Sequence, residues 1–277
     1  MDLRHAFEIL GRNVSYVRKL PVEYGGGHCV VSPEAGLRYL GRIASADPVL
    51  LELSRLLVQK NDIVWDIGAN VGLFSVAASF FAGPAGEVIS VEPDNWLVGL
   101  LRRTASLRNR DRQSPIEVIP CAVSSEETLA KFCIAERGRS SNALEGLGST
   151  QMGGVRETNT VATIRLDWLL ERRKSPALIK VDVEGAEAAV LSGATKLLTA
   201  VRPLLIIEVA GENAAAVTSS LASAHYQLFD GEATLSFEHP VPEACWNTIA
   251  IPEERVRSMC LHLAAAFAGT SPCGNRR

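Results

Sequence analysis

Five carboxylates in this 277-residue chain stand where chemistry is done: Asp66, Glu92, Asp182, Glu184 and Glu208. Four of them follow short apolar runs: Ile63-Val64-Trp65, EVISV before Glu92, ALIKV before Asp182 and LLII before Glu208. Such runs read as buried parallel strands. Behind Asp66 comes a turn of small residues, Gly68, Ala69, Asn70 and Gly72. Apolar residues then recur at Val71, Phe74, Ala77, Ala78 and Phe81. Strand, glycine turn and helix is how a doubly wound α/β sheet makes a ligand site at the carboxyl ends of its strands. Small residues in the turn imply that a ligand or a helix backbone comes close.

The spacing excludes one ligand class. Gly68-x-x-x-Gly72 is not the G-x-G-x-x-G of dinucleotide folds, and Asp66 just before it would repel a pyrophosphate. An acid at that mouth suits a ligand with a positive charge. Glu92 lies 24 residues beyond Gly68, near the distance at which an acid reaches ribose hydroxyls in such folds. Its two oxygens match two vicinal hydroxyls. Asp94, beyond Pro93, is read as secondary. Right-handed crossovers bring Asp66, Glu92, Cys121-Ala122, Asp182 and Glu208 to one side of the sheet. Carboxylates gathered at one mouth are costly unless a cation or hydroxyls occupy it.

The positioning elements follow from the same alternation. Strands around 63–65, 87–92, 116–119, 177–181 and 204–208 alternate with helices from Trp96 to Leu107 and from Asn213 to Ala224, and with helical spacing from Val190 to Val201. Two short runs near Tyr226 and Trp246 complete an α/β, Rossmann-like, mostly parallel sheet with an antiparallel edge strand. Glu136 to Thr163 is rich in Gly, Ser, Asn and Thr, which implies a lid or acceptor-binding loop, with room for a hairpin. Residues 1–60 read as a segment over the sheet edge or site mouth, 61–252 as the main domain and 253–277 as a C-terminal helix and tail.

Composition narrows the partners. A net charge of −3 offers no electrostatic reason to expect nucleic acid, and the arginines near 102–112 read as a solvated helix end. No apolar run approaches the roughly 18 residues of a membrane span. Six scattered cysteines without a C-x-x-C pair point to reduced thiols and a cytoplasmic location. Cys121 reads as a packing residue, Glu187 as an acid favoured by a helix N-terminus, and Lys180 as a strand residue without chemistry.

In order, VWDIGANVG, VEPD, CAVSS, RLDWLL, IKVDVEGAEAAVLSGA, RPLLIIE and WNTIAIP resemble the FkbM-type family of S-adenosylmethionine (SAM) dependent methyltransferases, from about Asp62 to Pro252. The IKVDVEGAE block with RPLLIIE behind it is the most specific part. Residue 121 is Cys where related chains often show Asn before Ala, and the first 60 residues carry no part of the likeness. The resemblance implies a class I methyltransferase sheet and O-methylation of a hydroxyl on a natural product, sugar or glycolipid, as in secondary metabolism. Asp66, Gly68, Ala69, Asn70 and Gly72 would then hold the methionine end of SAM, Glu92 the ribose and Ala122 the adenine. Asp182 and Glu184 would sit where the methyl group leaves.

A hydroxyl proton is poorly acidic, so a base or a cation must help. Asp182 or Glu184 serves as a metal-free base. The alternative is Mg²⁺ held by Asp182 and Glu208. Two other functions compete: N-methylation on the same fold, and SAM binding without catalysis. DVEG stands where an Asn/Asp-Pro-Pro-Tyr-like motif would favour the first, and the complete acidic set argues against the second. The acceptor and the oligomeric state, a homo-oligomer included, are left open.

Overall fold

The computed structural model describes residues 14–136, 138–148, 154–233, 237 and 239–268. Near the N-terminus, β1 (Tyr16–Lys19) and β2 (His28–Val31) form an antiparallel hairpin. Its turn uses Gly25 and Gly26 at φ 89° and 62°. Helix α1 (Pro48–Leu57) follows, started by Asp47, whose side chain accepts from Leu50 N at 2.9 Å, with Pro48 in the first turn.

The sheet core then begins. In chain order it comprises β3 (Ile63–Ile67), α2 (Leu73–Ala82), β4 (Glu87–Val91), α3 (Asn95–Ser106) and β5 (Ile116–Ile119). A smaller sheet interrupts it, made of β6 (Ala122–Val123), β7 (Thr128–Ala135), β8 (Ala143–Leu144) and β9 (Val155–Ile164). The core resumes with α4 (Leu166–Leu170), β10 (Leu178–Val181), α5 (Glu187–Ser192), β11 (Leu204–Glu208), α6 (Ala214–Ser223), β12 (Tyr226–Asp230), β13 (Asn247–Pro252) and α7 (Val256–Ala268).

The main sheet has seven strands in the order β12-β13-β11-β10-β3-β4-β5. The five from β11 to β5 are parallel, and β13 runs antiparallel between β11 and β12. Its faces are covered by separate apolar clusters. Trp65, Ile89, Ile179 and Ile207 pack with Val190, Leu197 and Leu221 on one side. Val64, Val88, Leu178 and Ile206 pack with Phe74, Leu56 and Met259 on the other. Chain order reverses between β3 and β10, so a crevice opens at their carboxyl ends.

Two local expectations change. Residues 155–164 belong to a strand, not to a polar loop: β-branched Thr158, Thr160, Val161 and Thr163 pair with β7, and an outward polar face mimics loop composition. The helical spacing of Val190 to Val201 is cut at Gly193 into α5 and a π-helical turn, Leu197–Val201. A Cβ at Gly193 would lie 2.5 Å from the Ser124 carbonyl oxygen, so the chain cannot carry a larger residue there without shifting. Residues around the β1–β2 hairpin pack Val30, Val31 and Tyr39 against Val76, Leu97 and Leu100 of α2 and α3. The same cluster takes in Ile116 of β5, the edge strand of the sheet.

The glycine turn also has a different cause. A Cβ on Gly68 (φ +74°) would meet the Asp182 carbonyl oxygen at 1.7 Å, and one on Gly72 (φ +88°) would meet Leu101 Cδ1 at 2.6 Å. Both glycines answer to the protein itself, one to the neighbouring strand end and one to α3. Gly68→Ala should therefore lower stability by about 3 kcal/mol or more, through both strain and overlap. Gly83→Ala, at φ +70° and ψ 178° with nothing within 4 Å, should cost only the backbone strain, about 1–3 kcal/mol. Urea unfolding of the two variants checks the difference.

Candidate active site

Lys180 lies at the bottom of the crevice. It is the residue in register with Asp66 across the β10–β3 pair, so the two side chains share a face of the sheet. Its ammonium donates to the Gly68 carbonyl at 2.7 Å and stands 3.3 Å from Asp66 Oδ1 and 3.2 Å from Asp182 Oδ2. Burial alone would lower its pKa, but the Asp182 and Asp66 carboxylates outweigh that and hold it well above the ordinary lysine value. Asp66 is fully buried, and its Oδ2 accepts from Ser75 Oγ at 2.5 Å. Its Oδ1 faces the ammonium without a well-aligned hydrogen bond.

Above this floor is a cavity of about 140 Å³. Of the expected residues, Gly68, Asn70, Glu92, Ala122, Asp182, Glu184 and Glu208 line it. Asp66, Ala69 and Gly72 do not. Asp66 is turned beneath the turn toward Lys180, so the direct contact with a ligand expected of it gives way to a supporting position. Ala69 is only 5% exposed, and Gly72 faces α3.

Glu92 is buried, with Oε2 accepting from Asn70 N and Oε1 from Asp94 N, each at 2.9 Å. Burial pushes its pKa up to about 7. Asp94, read as secondary, has a larger part in the architecture. It caps α3 through Trp96 N at 2.9 Å and accepts from Arg139 Nη1 at 2.7 Å and Asn142 Nδ2 at 2.8 Å. Arg139 also donates to Glu34 Oε1 at 2.9 Å. The N-terminal segment, the end of β4 and the inserted sheet are thus tied together at the rim. Leu97, Cys121, Val123, Phe132 and Leu144 supply an apolar wall beside Ala122. Cys121 is a packing residue here, its thiol pushed by burial up to about 12.

At the far end the carboxylates of Asp182, Glu184 and Glu208 offer oxygens all within 4.8 Å of one another. Glu184 sits at φ +51° and Gly185 at +101°, a turn that throws the Glu184 side chain toward its neighbours. Glu187 stabilises that turn: it is buried and accepts from Gly185 N and Asn213 Nδ2, each at 2.7 Å. Residue 148 braces the turn from outside, since a Cβ on Gly148 would overlap the Glu184 carbonyl oxygen. Burial first, then Asp182 and Glu208, raise Glu184 to about 8; burial and Asp182 raise Glu208 to about 7.

The donor set fits SAM. A carboxylate end suits a sulfonium and an ammonium, a buried carboxylate with free lone pairs suits ribose hydroxyls, and a flat apolar wall suits a purine. The three acids at the far end are also where a divalent cation could be held.

Residues 66–228 match the methyltransferase FkbM domain, and the chain belongs to that family: it is a SAM-dependent methyltransferase. It is 30% identical over 183 residues to the hexuronic acid methyltransferase AglP of Haloferax volcanii, covering 62% of this chain and 68% of that protein. Among solved structures it is similar to TYW2 of M. jannaschii in complex with AdoMet, at 9% identity and TM-score 0.46, over 87% of this chain and 85% of that one. It is also similar to an FkbM methyltransferase of Methylobacillus flagellatus KT, at 15% identity and TM-score 0.42, over 79% of this chain and 57% of that one. Among the described residues no helix is long and apolar enough to cross a membrane.

Sequence reasoning passed over Lys180, Arg139 and Asn142. Lys180 had a signal: a cation inside an apolar strand must be paired where it is buried. Arg139 and Asn142 had none, because their partner Asp94 is 45 and 48 positions away.

Removing the buried cation should be costly. Lys180→Met leaves Asp66 with no countercharge in the core and should lose about 3–5 kcal/mol. Lys180→Met with Asp66→Asn should recover a measurable part of that loss in denaturant unfolding. A second expectation concerns pH. Glu92, Glu184 and Glu208 have folded pKa values above their ordinary 4.5, so between about pH 4.5 and 8 the folded chain binds more protons than the unfolded one. Ligand-free stability should fall as pH rises through that window, and Glu184→Gln should flatten the fall in a thermal-shift series.

Proposed function

We propose that the chain methylates an oxygen, a hydroxyl on a sugar or other natural-product acceptor. The observation that carries this reading is the cluster of Asp182, Glu184 and Glu208, in which burial and the neighbouring carboxylates push Glu184 up to about 8. A group with that pKa, once ionised, can take a proton near neutral pH, which methyl transfer to a hydroxyl requires. The likeness to a hexuronic acid methyltransferase supports a sugar acceptor.

When bound, SAM supplies a methyl group carried on a sulfonium. Glu92 would accept hydrogen bonds from the ribose, Ala122 and the apolar wall would pack the adenine, and Gly68 with Asn70 would follow the amino-acid end. Asp182 would face the positive charge, itself oriented by Lys180 at 3.2 Å. Glu184 would receive the acceptor's proton as the new carbon–oxygen bond forms. Its pKa falls when a cation arrives beside it, so binding the cofactor readies it as a base. A metal-free base is preferred over Mg²⁺ on Asp182 and Glu208, because a Mg²⁺ site commonly uses only one or two carboxylates and here three crowd together.

The test is steady-state kinetics with an accepted sugar or polyol. Glu184→Gln should lower kcat by about 10²–10⁴-fold while the SAM Kd, from calorimetry, changes only a few-fold. Wild-type kcat/KM for SAM, which reports the free enzyme, should climb with pH toward about 8, and the variant should lack that limb. Turnover should persist in EDTA. Loss with chelator and return with Mg²⁺ would give the metal reading instead.

A further inference from the structure

The Asp182–Glu184–Glu208 cluster has two sides. One faces the cavity lined by Glu92 and the apolar wall. The other faces a shallow depression formed with Gly185, Ala210, Glu212 and Trp246. Trp246 is 51% exposed, a large aromatic surface left in solvent beside three carboxylates. Its position is set by the sheet. Its carbonyl accepts from Val209 N at 2.8 Å, and the next residue, Asn247, is in register with Glu208. The indole therefore stands at the β11–β13 junction, beside the proposed base but outside the cofactor's cavity.

We infer that Trp246 is the platform on which the acceptor ring lies, and that the acceptor is an uncharged sugar, not a uronate. This rests on the proposed transfer to a hydroxyl. The CH face of a pyranose is apolar and packs on an indole, while its hydroxyls are donors that need acceptors. Glu184, Glu208 and Glu212 supply acceptors around the depression, and no lysine or arginine lines it among the described residues. In the depression itself a carboxylate on the acceptor would find no basic side chain and would stand beside Asp182, Glu187 and Glu212. Arg38 and Arg139 line the other cavity and not this depression, though Arg38 acts on Glu184 and Glu208 across the cluster.

The experiment follows labelled methyl transfer from SAM to three sets of compounds: neutral glycosides, uronates and simple phenols. Each is run with the wild-type chain and with Trp246→Ala and Trp246→Phe. The expected result is labelling of neutral glycosides above uronates, a KM raised about tenfold or more by Trp246→Ala and largely restored by Trp246→Phe. The SAM Kd should be unchanged in both variants, which shows the fold and cofactor cavity intact. Transfer to none of the hydroxyl compounds would count against the hydroxyl reading itself. Preference for uronates or phenols, or an unchanged KM in Trp246→Ala, would leave that reading standing and overturn this one.

Discussion

A single buried ammonium holds the site in its shape. Lys180 reaches from the middle of β10 to Asp66 on β3, to Asp182 at the end of its own strand, and to the carbonyl of Gly68 between them. A charge so placed is unfavourable unless every partner stays where it is. The strand order reverses at this point, where the sheet has fewest covalent reasons to keep two strand ends together. The ion cluster supplies the reason. It fixes the height of the glycine turn relative to Asp182, and with it the depth of the cavity above.

The acids at the mouth fall into two groups with opposite demands. Asp66 and Asp182 have a cation and lie beside it. Glu184 and Glu208 face each other and Asp182 with no such partner as close, and burial pushes both toward the neutral form. A positive charge placed beside them would favour their ionised forms. Glu92 is intermediate, buried but already accepting two backbone donors, so its geometry is set before any hydroxyl arrives.

Much of this was legible in order along the chain. Apolar runs ending in acids placed Asp66, Glu92, Asp182 and Glu208 at strand ends, and parallel crossovers brought those ends to one side. What the runs could not say is which way each acid turns. Asp66 and Asp182 differ by whether Lys180 lies beneath or beside them, a matter of pairing register between strands more than a hundred residues apart. The inserted sheet was misread for a related reason. Its β9 strand keeps its outer face polar, and only pairing with β7 distinguishes TNTVATI from a loop. The glycines were recognised as special, for the close approach of a ligand or a helix backbone, and a strand-end carbonyl and a leucine are what a Cβ there would meet.

The contact between Gly148 and the backbone of Glu184 joins the inserted sheet to the end of β10. The insert packs there as well, its small core of Phe132, Ile134 and Val161 taking in Ala186 behind the turn. Grafting the insert of another family member onto this sheet would carry over the outer hairpin freely. The short stretch through Leu147 and Gly148 is different: it is part of the mould in which Glu184 takes its left-handed backbone. A chimera cut inside that stretch would change the active-site turn along with the insert, so the two could not be exchanged independently between such proteins.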